Sequence, residues 1–537
     1  MSKLIRSHWW SVFFVLFFPL LIMYVYSDFI RSSELNARFG WLILLGGIAY
    51  LLRHTLLQKL LLGVIFIFAL SGSMDILYAV TFGGVFVSAT FEAIALTDTH
   101  EAFEFLHAYI SFENVLILLT YWLIAFYSLK KILFKEAELT REKVFAGLGV
   151  LMVLVAIQQL NLRGRTFDVL PGFSGVAIDY SNKYESIEKI IQDRQNLYEN
   201  SPFKASMVSN KPQTYIVVVG ESLNRNHMSL YGYARSTTPN LDEQESQAIV
   251  YDNMISVFAQ TKPSLSVNLT QADTVNNMPE SQAISLIGVF KRAGFKTFWI
   301  SNQQPQRVPT KPIANIADSQ TFISNDFHGV EANRYDGFML PYIDKALADK
   351  AEHKVIFVHL MGSHLQYENR FPPEEMVFKT SENIQAYSSE LSGSQLDYIN
   401  AYDNSVRYTD LVLSDVLQKL QAEKGIAGLL FWADHGEEVF DSKDFKGHGP
   451  DGVTKNMLEV PFVFWRNQAY LSEFKSIDDV LVKHKNTPAM LDDFFHIAQC
   501  MIPVNSDLKN IDKSFCKEEY DAKPRLVYEK DYDKGLK

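Results

Sequence analysis

Three short segments of this 537-residue chain carry side chains able to grip a metal ion, and each directly follows a short apolar run. Gly220-Glu221-Ser222 follows YIVVV (Tyr215–Val219). Leu360-Met361-Gly362-Ser363-His364 follows VIFVH (Val355–His359), and Asp434-His435-Gly436-Glu437-Glu438 follows GLLFWA (Gly428–Ala433). If those runs are strands of one sheet, Glu221, Asp434 and His435 come together at its carboxyl edge as two carboxylates and an imidazole. Carboxylate oxygen with imidazole nitrogen suits zinc or manganese, and the lack of thiolates argues against a cysteine-rich structural site. Taken singly, an Asp-His pair is more often structural than ligating.

A nucleophile for such a metal stands in FAQTKPSLS (Phe258–Ser266). Thr261 is placed where a helix can begin: a threonine at the N-cap, Pro263 in the first turn, apolar residues beyond. Free N–H groups at that end would hold a phosphate against the Thr261 hydroxyl. The plain alternative is that Thr261 is only a cap, and Ser264 and Ser266 are other available hydroxyls.

The elements that must position these groups are read from periodicity. Besides the three runs above, KTFWI (Lys296–Ile300) and VPFVFW (Val460–Trp465) have the length and β-branched or aromatic content of strands. A helix is expected from about Ser394 to Glu423, with Leu396, Ile399, Val406, Leu413, Val416, Leu417 and Leu420 on one stripe and Gly425 past its end. Near-continuous apolar strands separated by helices imply an α/β domain, its mostly parallel central sheet covered by helices on both faces. Its expected extent is 214–537, preceded by a linker with bridging helices over 161–213, polar from Ser181 to Gln213.

Residues 1–160 read differently. Long apolar runs at Trp9–Tyr26, Phe39–Leu52, Leu60–Val80, Val115–Phe134 and Val144–Leu160 suggest five membrane spans. No small-residue cleavage site follows the first, which argues against a removed signal peptide. With the N-terminus inside, the inner segments hold Lys3, Arg6, Arg53, Lys59, Lys130, Lys131, Lys135, Arg141 and Lys143, and the outer loops only Arg31 and Arg38. That orientation exports everything after Leu160. Residues 85–112 read as an interfacial segment or a plain connecting loop. Outside the cell, Cys500 and Cys516 can pair, closing a loop worth roughly 3 kcal/mol. The net charge of −11, without clustered Lys and Arg, argues against a nucleic-acid partner.

The motifs, taken in order, resemble a known family. GESLNRNHMSLYGYARSTTPNLD (Gly220–Asp242), TKPS at Thr261, KTFWISNQQ (Lys296–Gln304), VHLMGSHLQYENRFP (Val358–Pro372), YINAYDNSVRYTD (Tyr398–Asp410) and ADHGEEVFD (Ala433–Asp441) are similar to the phosphoethanolamine transferases of the Gram-negative envelope. Their wording is most similar to the enzymes that modify the lipopolysaccharide core heptose. The resemblance implies an inner-membrane protein with an alkaline-phosphatase/sulfatase-like catalytic domain in the periplasm. It implies a phosphatidylethanolamine donor, a core heptose or lipid A acceptor, and a covalent intermediate on Thr261. Glu221, Thr261, Asp434 and His435 would ligate one zinc ion, while His364 and His448 would bind the phosphoryl group or a second metal. Relatives often have several disulfides where this chain can form one, and their outer-loop Thr-Asn pair stands here as Thr97-Asp98. Three other readings are a phosphoglycerol transferase, another hydrolase of the same fold and an inactive membrane-anchored scaffold. A sulfatase proper would need a CxPxR or SxPxR pattern, which is not found at Thr261.

Overall fold

Pro19 lies inside an apolar helix and has no N–H to offer the carbonyl one turn back, so the chain must satisfy Val15 in some other way. In the computed structural model of the chain, the Tyr121 hydroxyl donates to the Val15 carbonyl at 3.0 Å, and Arg38 donates to the carbonyl of Leu16. The structure describes all residues except 1–2, 28–31, 52–55, most of 87–108, 133–140, 163–169, 184–186, 277, 304–309, 324–334, most of 382–390, 521 and 537. The interfacial segment lies largely outside the described residues, as do Thr97, Asp98, Arg31, Arg53 and Lys135. The chain divides into two compact units, one of residues 1–97 and 105–184, the other of 98–104 and 185–537.

The first unit is helical: α1 (Lys3–Ser27), α2 (Ser32–Leu51), α3 (Leu56–Phe82), α4 (Phe112–Ile132), α5 (Arg141–Leu162) and α6 (Gly172–Lys183). Among the described residues, two helical stretches are long and apolar enough to cross a membrane, Trp10–Ser27 and Lys59–Phe82; Phe112–Tyr127 and Ala146–Gln158 are shorter apolar stretches. Val12, Val15 and Leu16 of α1 pack with Ile65, Phe68 and Ala69 of α3 and with Tyr121 and Ala125 of α4. A Cβ at Gly72 would come within 2.6 Å of Pro19 and 2.7 Å of the Tyr121 oxygen, so these helices approach through a small residue.

Arg38 corrects one expectation. Read as an outer-loop charge, it sits in the second turn of α2, 2 % exposed, with Nε 2.7 Å from Glu34 and Nη2 2.9 Å from Asp75. Two carboxylates make that burial tolerable. The same acids cap α6: Gly172 N–H donates to Glu34 at 2.8 Å and Phe173 N–H to Asp75 at 2.7 Å, while Ser174 N–H finds Ser71 Oγ at 3.1 Å. Donors left over at a helix start are thus met by side chains of α2 and α3.

In the second unit, α7 (Ile187–Asn200) precedes a seven-stranded sheet. Its strands are β1 (Gln213–Gly220), β2 (Ala248–Val250), β3 (Lys296–Ser301), β4 (Ser319–Phe322), β5 (His353–His359), β6 (Ile426–Ala433) and β7 (Phe462–Arg466). The spatial order is β2-β7-β6-β1-β5-β3-β4. Pairing is parallel from β6 through β4, whereas β7 runs antiparallel to both β6 and β2, so the sheet is mixed, with one strand reversed. From Tyr215 to Val219 no side chain is more than 1 % exposed, which is why the run shows no polar alternation. Each such side chain contributes about 1.5–3 kcal/mol by leaving water.

Two further helices matter to the site. The shorter, α8, runs Thr261–Asn268; the longer, α9, runs Gly393–Gln421. Ser392 caps α9 through a reciprocal box: its Oγ accepts from Gln395 N–H at 3.3 Å, and the Gln395 side chain accepts from Ser392 N–H at 2.7 Å. Cys500 and Cys516 form a disulfide, Cα to Cα 5.4 Å.

Candidate metal and phosphoryl-transfer site

Strand order explains why residues more than two hundred positions apart can meet. β1 lies between β6 and β5, so the segments beginning at Glu221, Asp434 and Leu360 leave neighbouring strand ends. The turn after β1 is held tightly. Ser222 takes a left-handed conformation (φ 54), unusual for a residue with a Cβ, and is fixed by Tyr402, whose hydroxyl donates to the Ser222 carbonyl at 2.9 Å and accepts from Asn224 N–H at 2.8 Å. The Gly-Ser-His loop closes over the same turn, with Ser363 N–H donating to the Glu221 carbonyl at 3.0 Å. Gly362 (φ +53) admits no side chain here, because a Cβ would lie 2.7 Å from the Glu221 carbonyl oxygen.

Glu221, Asp434 and His435 are at most 1 % exposed, and one ligand atom from each lies within 4.8 Å of the others. His435 Nε2 is 3.4 Å from Glu221 Oε1 and 3.3 Å from Asp434 Oδ2. Its other nitrogen, Nδ1, faces the Gly436 carbonyl at 2.9 Å; as a donor there it leaves the Nε2 lone pair for the acids' common focus. Asp434 Oδ1 accepts from Ser222 N–H and His435 N–H, while its buried Oδ2 accepts no hydrogen bond among the described residues. A second carboxylate oxygen without a donor, beside another carboxylate, fits a cation ligand.

The electrostatics carry the same message. Burial would raise the Glu221 carboxyl, but the hydrogen bond and charge of His435 prevail and hold it far below the usual range. Burial and the charge of Glu221 push Asp434 up to about 8. Burial would lower His435, yet Asp434 and Glu221 hold it at about 10. The two acids thus retain a proton on the imidazole where a divalent ion would compete for the same focus.

Thr261 meets this group. Its hydroxyl donates to Glu221 Oε1 at 3.0 Å and lies 3.3 Å from His435 Nε2. The expected N-cap role is corrected: Gln260, extended at φ −154 and ψ 140, is the cap residue, and Thr261 is the first residue of α8. Its hydroxyl is therefore turned to the acids rather than spent on α8's own backbone. Of the alternative hydroxyls, buried Ser264 is engaged with Phe258 O at 3.0 Å and Ser256 Oγ at 3.2 Å.

Further histidines belong to the same strand-end loops. His448, beyond the short hairpin Glu438–Val439/Lys446–Gly447, packs against His435 with ring centroids 4.1 Å apart and the planes tilted by 46°. Its Nδ1 is 2.6 Å from Glu437, which also accepts from the Tyr367 hydroxyl at 2.7 Å. Burial and the charge of His435 lower His448. His364 follows Ser363 on the loop tied to Glu221. Sequence reasoning missed His359. It ends β5, fully buried, with Nε2 unpartnered among the described residues and its pKa lowered by burial to about 4. The strand-end rule that selected Glu221 and Asp434 would have found it.

A second charged knot braces the site. His227 Nδ1 is 2.7 Å from Asp403 on α9 and Nε2 is 3.1 Å from Asp441 on the hairpin loop. Asp403 also takes Arg235 at 2.7 Å and the Tyr233 hydroxyl at 3.0 Å. Burial would lower His227, but Asp441 and Asp403 prevail and hold it at about 10. The folded pKa thus lies above the unfolded value of about 6.5, so its stabilisation is complete below the latter and fades as pH rises through about 10. The urea midpoint is expected to fall between pH 7 and pH 10 by an amount worth on the order of a few kcal/mol, and His227→Gln should flatten that slope. Equal slopes in both proteins would refute the clamp.

Comparison with known proteins gives the family. The Sulfatase family model matches residues 213–498. Phosphoethanolamine transferase EptC of Escherichia coli strain RS218 is 30 % identical over 416 residues, covering 73 % of this chain and 71 % of that one. The chain belongs to the phosphoethanolamine transferases of the sulfatase family. A crystal structure of the C-terminal periplasmic domain of E. coli EptC in complex with Zn matches with a TM-score of 0.56 and 28 % identity, covering 62 % of this transferase and 96 % of that chain. The integral membrane protein EptA of Neisseria meningitidis, at 17 % identity, shares the fold along 96 % of this transferase and 98 % of its own length, with a TM-score of 0.66. The likeness to EptA therefore extends into the helical unit of the transferase.

Proposed function

We propose that this transferase moves phosphoethanolamine from phosphatidylethanolamine to a lipopolysaccharide acceptor, the core heptose first and a lipid A phosphate second, through a covalent adduct on Thr261. The observation that carries the reading is the Thr261 hydroxyl pointed at Glu221 and His435 from the first turn of a helix. Glu221, Asp434, His435 and Thr261 would hold one zinc ion, with His364 and His448 left for the phosphoryl group or a second metal. Zinc bound there would supply Lewis acidity, lowering the pKa of the hydroxyl and neutralising charge on the phosphoryl oxygens.

The chain's own groups supply the rest. Thr261 Oγ1, aligned by its hydrogen bond to Glu221, attacks phosphorus as the bond to the diacylglycerol oxygen breaks, and its proton passes to His448. The N–H groups opening α8 face the phosphoryl oxygens. His448, steered by Glu437 and kept neutral by its lowered pKa, hands that proton to the departing diacylglycerol oxygen; it then takes one from the acceptor hydroxyl as that oxygen attacks phosphorus, the Thr261–phosphorus bond breaks and the proton returns to Thr261 Oγ1. Five membrane spans, an inner-membrane location and a periplasmic catalytic domain complete the reading; the two long apolar helices and the likeness to EptA support it. A two-tailed donor does not readily leave the bilayer, which gives the helices a purpose.

The test uses the full chain in detergent with fluorescent phosphatidylethanolamine or phosphatidylglycerol. Diacylglycerol should be released only from the first, and mass spectrometry of lipopolysaccharide from a deletion strain should show the core heptose without its phosphoethanolamine. Release only from phosphatidylglycerol would make the protein a phosphoglycerol transferase, and release from neither would leave the scaffold reading.

A further inference from the structure

Glu221 presents its two oxygens to different surroundings. Oε1 faces Thr261 Oγ1 at 3.0 Å, Ser222 Oγ at 3.1 Å and His435 Nε2 at 3.4 Å. Oε2 accepts from Gln303 Nε2 at 3.0 Å. Gln303 is the second residue past β3 and is itself fixed: its N–H donates to Ser301 Oγ at 3.1 Å, and the neighbouring Asn302 N–H donates to the His359 carbonyl at 3.0 Å.

The amide cannot turn over without loss. Nε2 also donates to the Leu360 carbonyl at 3.2 Å, so both of its hydrogens are used, one on a carboxylate and one on a carbonyl. A flipped amide would set its oxygen against two acceptors. The donor is therefore held toward Glu221 by the residue just past β5 as well as by its own anchorage just past β3. A glutamine has no charge to compete for the cation, so it grips one carboxylate oxygen and leaves the other, on the Thr261 side, for the metal.

We infer that Gln303 is a positioning residue that holds Glu221 as a one-oxygen ligand, with Oε1 aligned on the Thr261 hydroxyl. Without that grip the carboxylate can rotate about its last torsion, present both oxygens to the cation and lose its alignment with the nucleophile. The inference rests on the proposed zinc and Thr261 roles and adds a residue to them. Loss of the grip should weaken zinc and slow transfer together while leaving lipid binding alone, because Gln303 acts through Glu221.

The decisive variant is Gln303→Met, which keeps the side-chain length and removes the donor. In the full chain in detergent, zinc affinity by chelator competition should weaken about 10–100-fold and kcat should fall comparably, with KM for phosphatidylethanolamine and Tm near wild type. If Gln303→Met does not fold, Gln303→Asn, which keeps the amide and shortens its reach, is read by the same measurements. Zinc affinity and kcat within about twofold of wild type would overturn the role. Wild type and Thr261→Ala run alongside: a wild type that takes up no zinc, or an active Thr261→Ala, brings down the parent reading. An unaffected Gln303→Met beside a zinc-binding wild type and a dead Thr261→Ala brings down this inference alone.

Discussion

Thr261→Ala is expected to lower transfer at least about 10⁴-fold while the protein stays folded and keeps most of its zinc affinity. The expectation follows from the division of labour at the site. Two carboxylates and an imidazole meet within 4.8 Å without help from Thr261, so removing one hydroxyl leaves a three-ligand set. Its loss removes the atom that would carry the phosphoethanolamine. Serine at this position should restore part of the activity, because it returns a hydroxyl to the first residue of α8. Diacylglycerol release measured beside zinc content separates a lost nucleophile from a collapsed centre; normal turnover in Thr261→Ala would end the covalent account.

Asp434→Asn should give the other large effect, and its signature is a trade. Burial and the charge of Glu221 already push Asp434 up to about 8, so the metal-free protein carries two acids in strained company. Neutralising one should raise the Tm of the metal-free protein while removing most of its affinity for zinc, and activity should fall at least about 10³-fold. Stripping wild type with a chelator should produce the same loss and lower the Tm, because a ligand at about 100 times its Kd adds about 2.7 kcal/mol. Zinc, not magnesium, should restore both. Activity that survives stripping, or a metal-free Asp434→Asn less stable than metal-free wild type, would contradict the charge balance described here.

The legible parts of the sequence were those whose reason is local. Tyr215–Val219 and Gly428–Ala433 announce buried strands by unbroken apolar content, and the polar groups just past their ends are the ones the structure gathers. Edge strands gave no such signal: Ala248–Val250 and Ser319–Phe322 are short, and the second is largely polar. The reversal of Phe462–Arg466 could not be read either, since strand direction is set by the path of the intervening chain. Arg38 looked like a loop charge because nothing in its neighbourhood shows Asp75, 37 residues later, that neutralises it. His227, Glu437 and Gln303 were opaque for a related reason. His227 and Gln303 work through partners distant in sequence, Asp403 and Glu221, that only the fold brings close; Glu437 works through His448, 11 residues on across a short hairpin whose strands are too brief to announce themselves.

The central claim is that phosphoethanolamine is carried on Thr261. Brief incubation of the full chain with phosphatidylethanolamine and no acceptor, acid quenching and peptide mapping by mass spectrometry test it most directly. One added phosphoethanolamine is expected on the peptide containing Thr261, cleared when lipopolysaccharide is supplied. Diacylglycerol release with that peptide unmodified, or with the adduct on another residue, would contradict it.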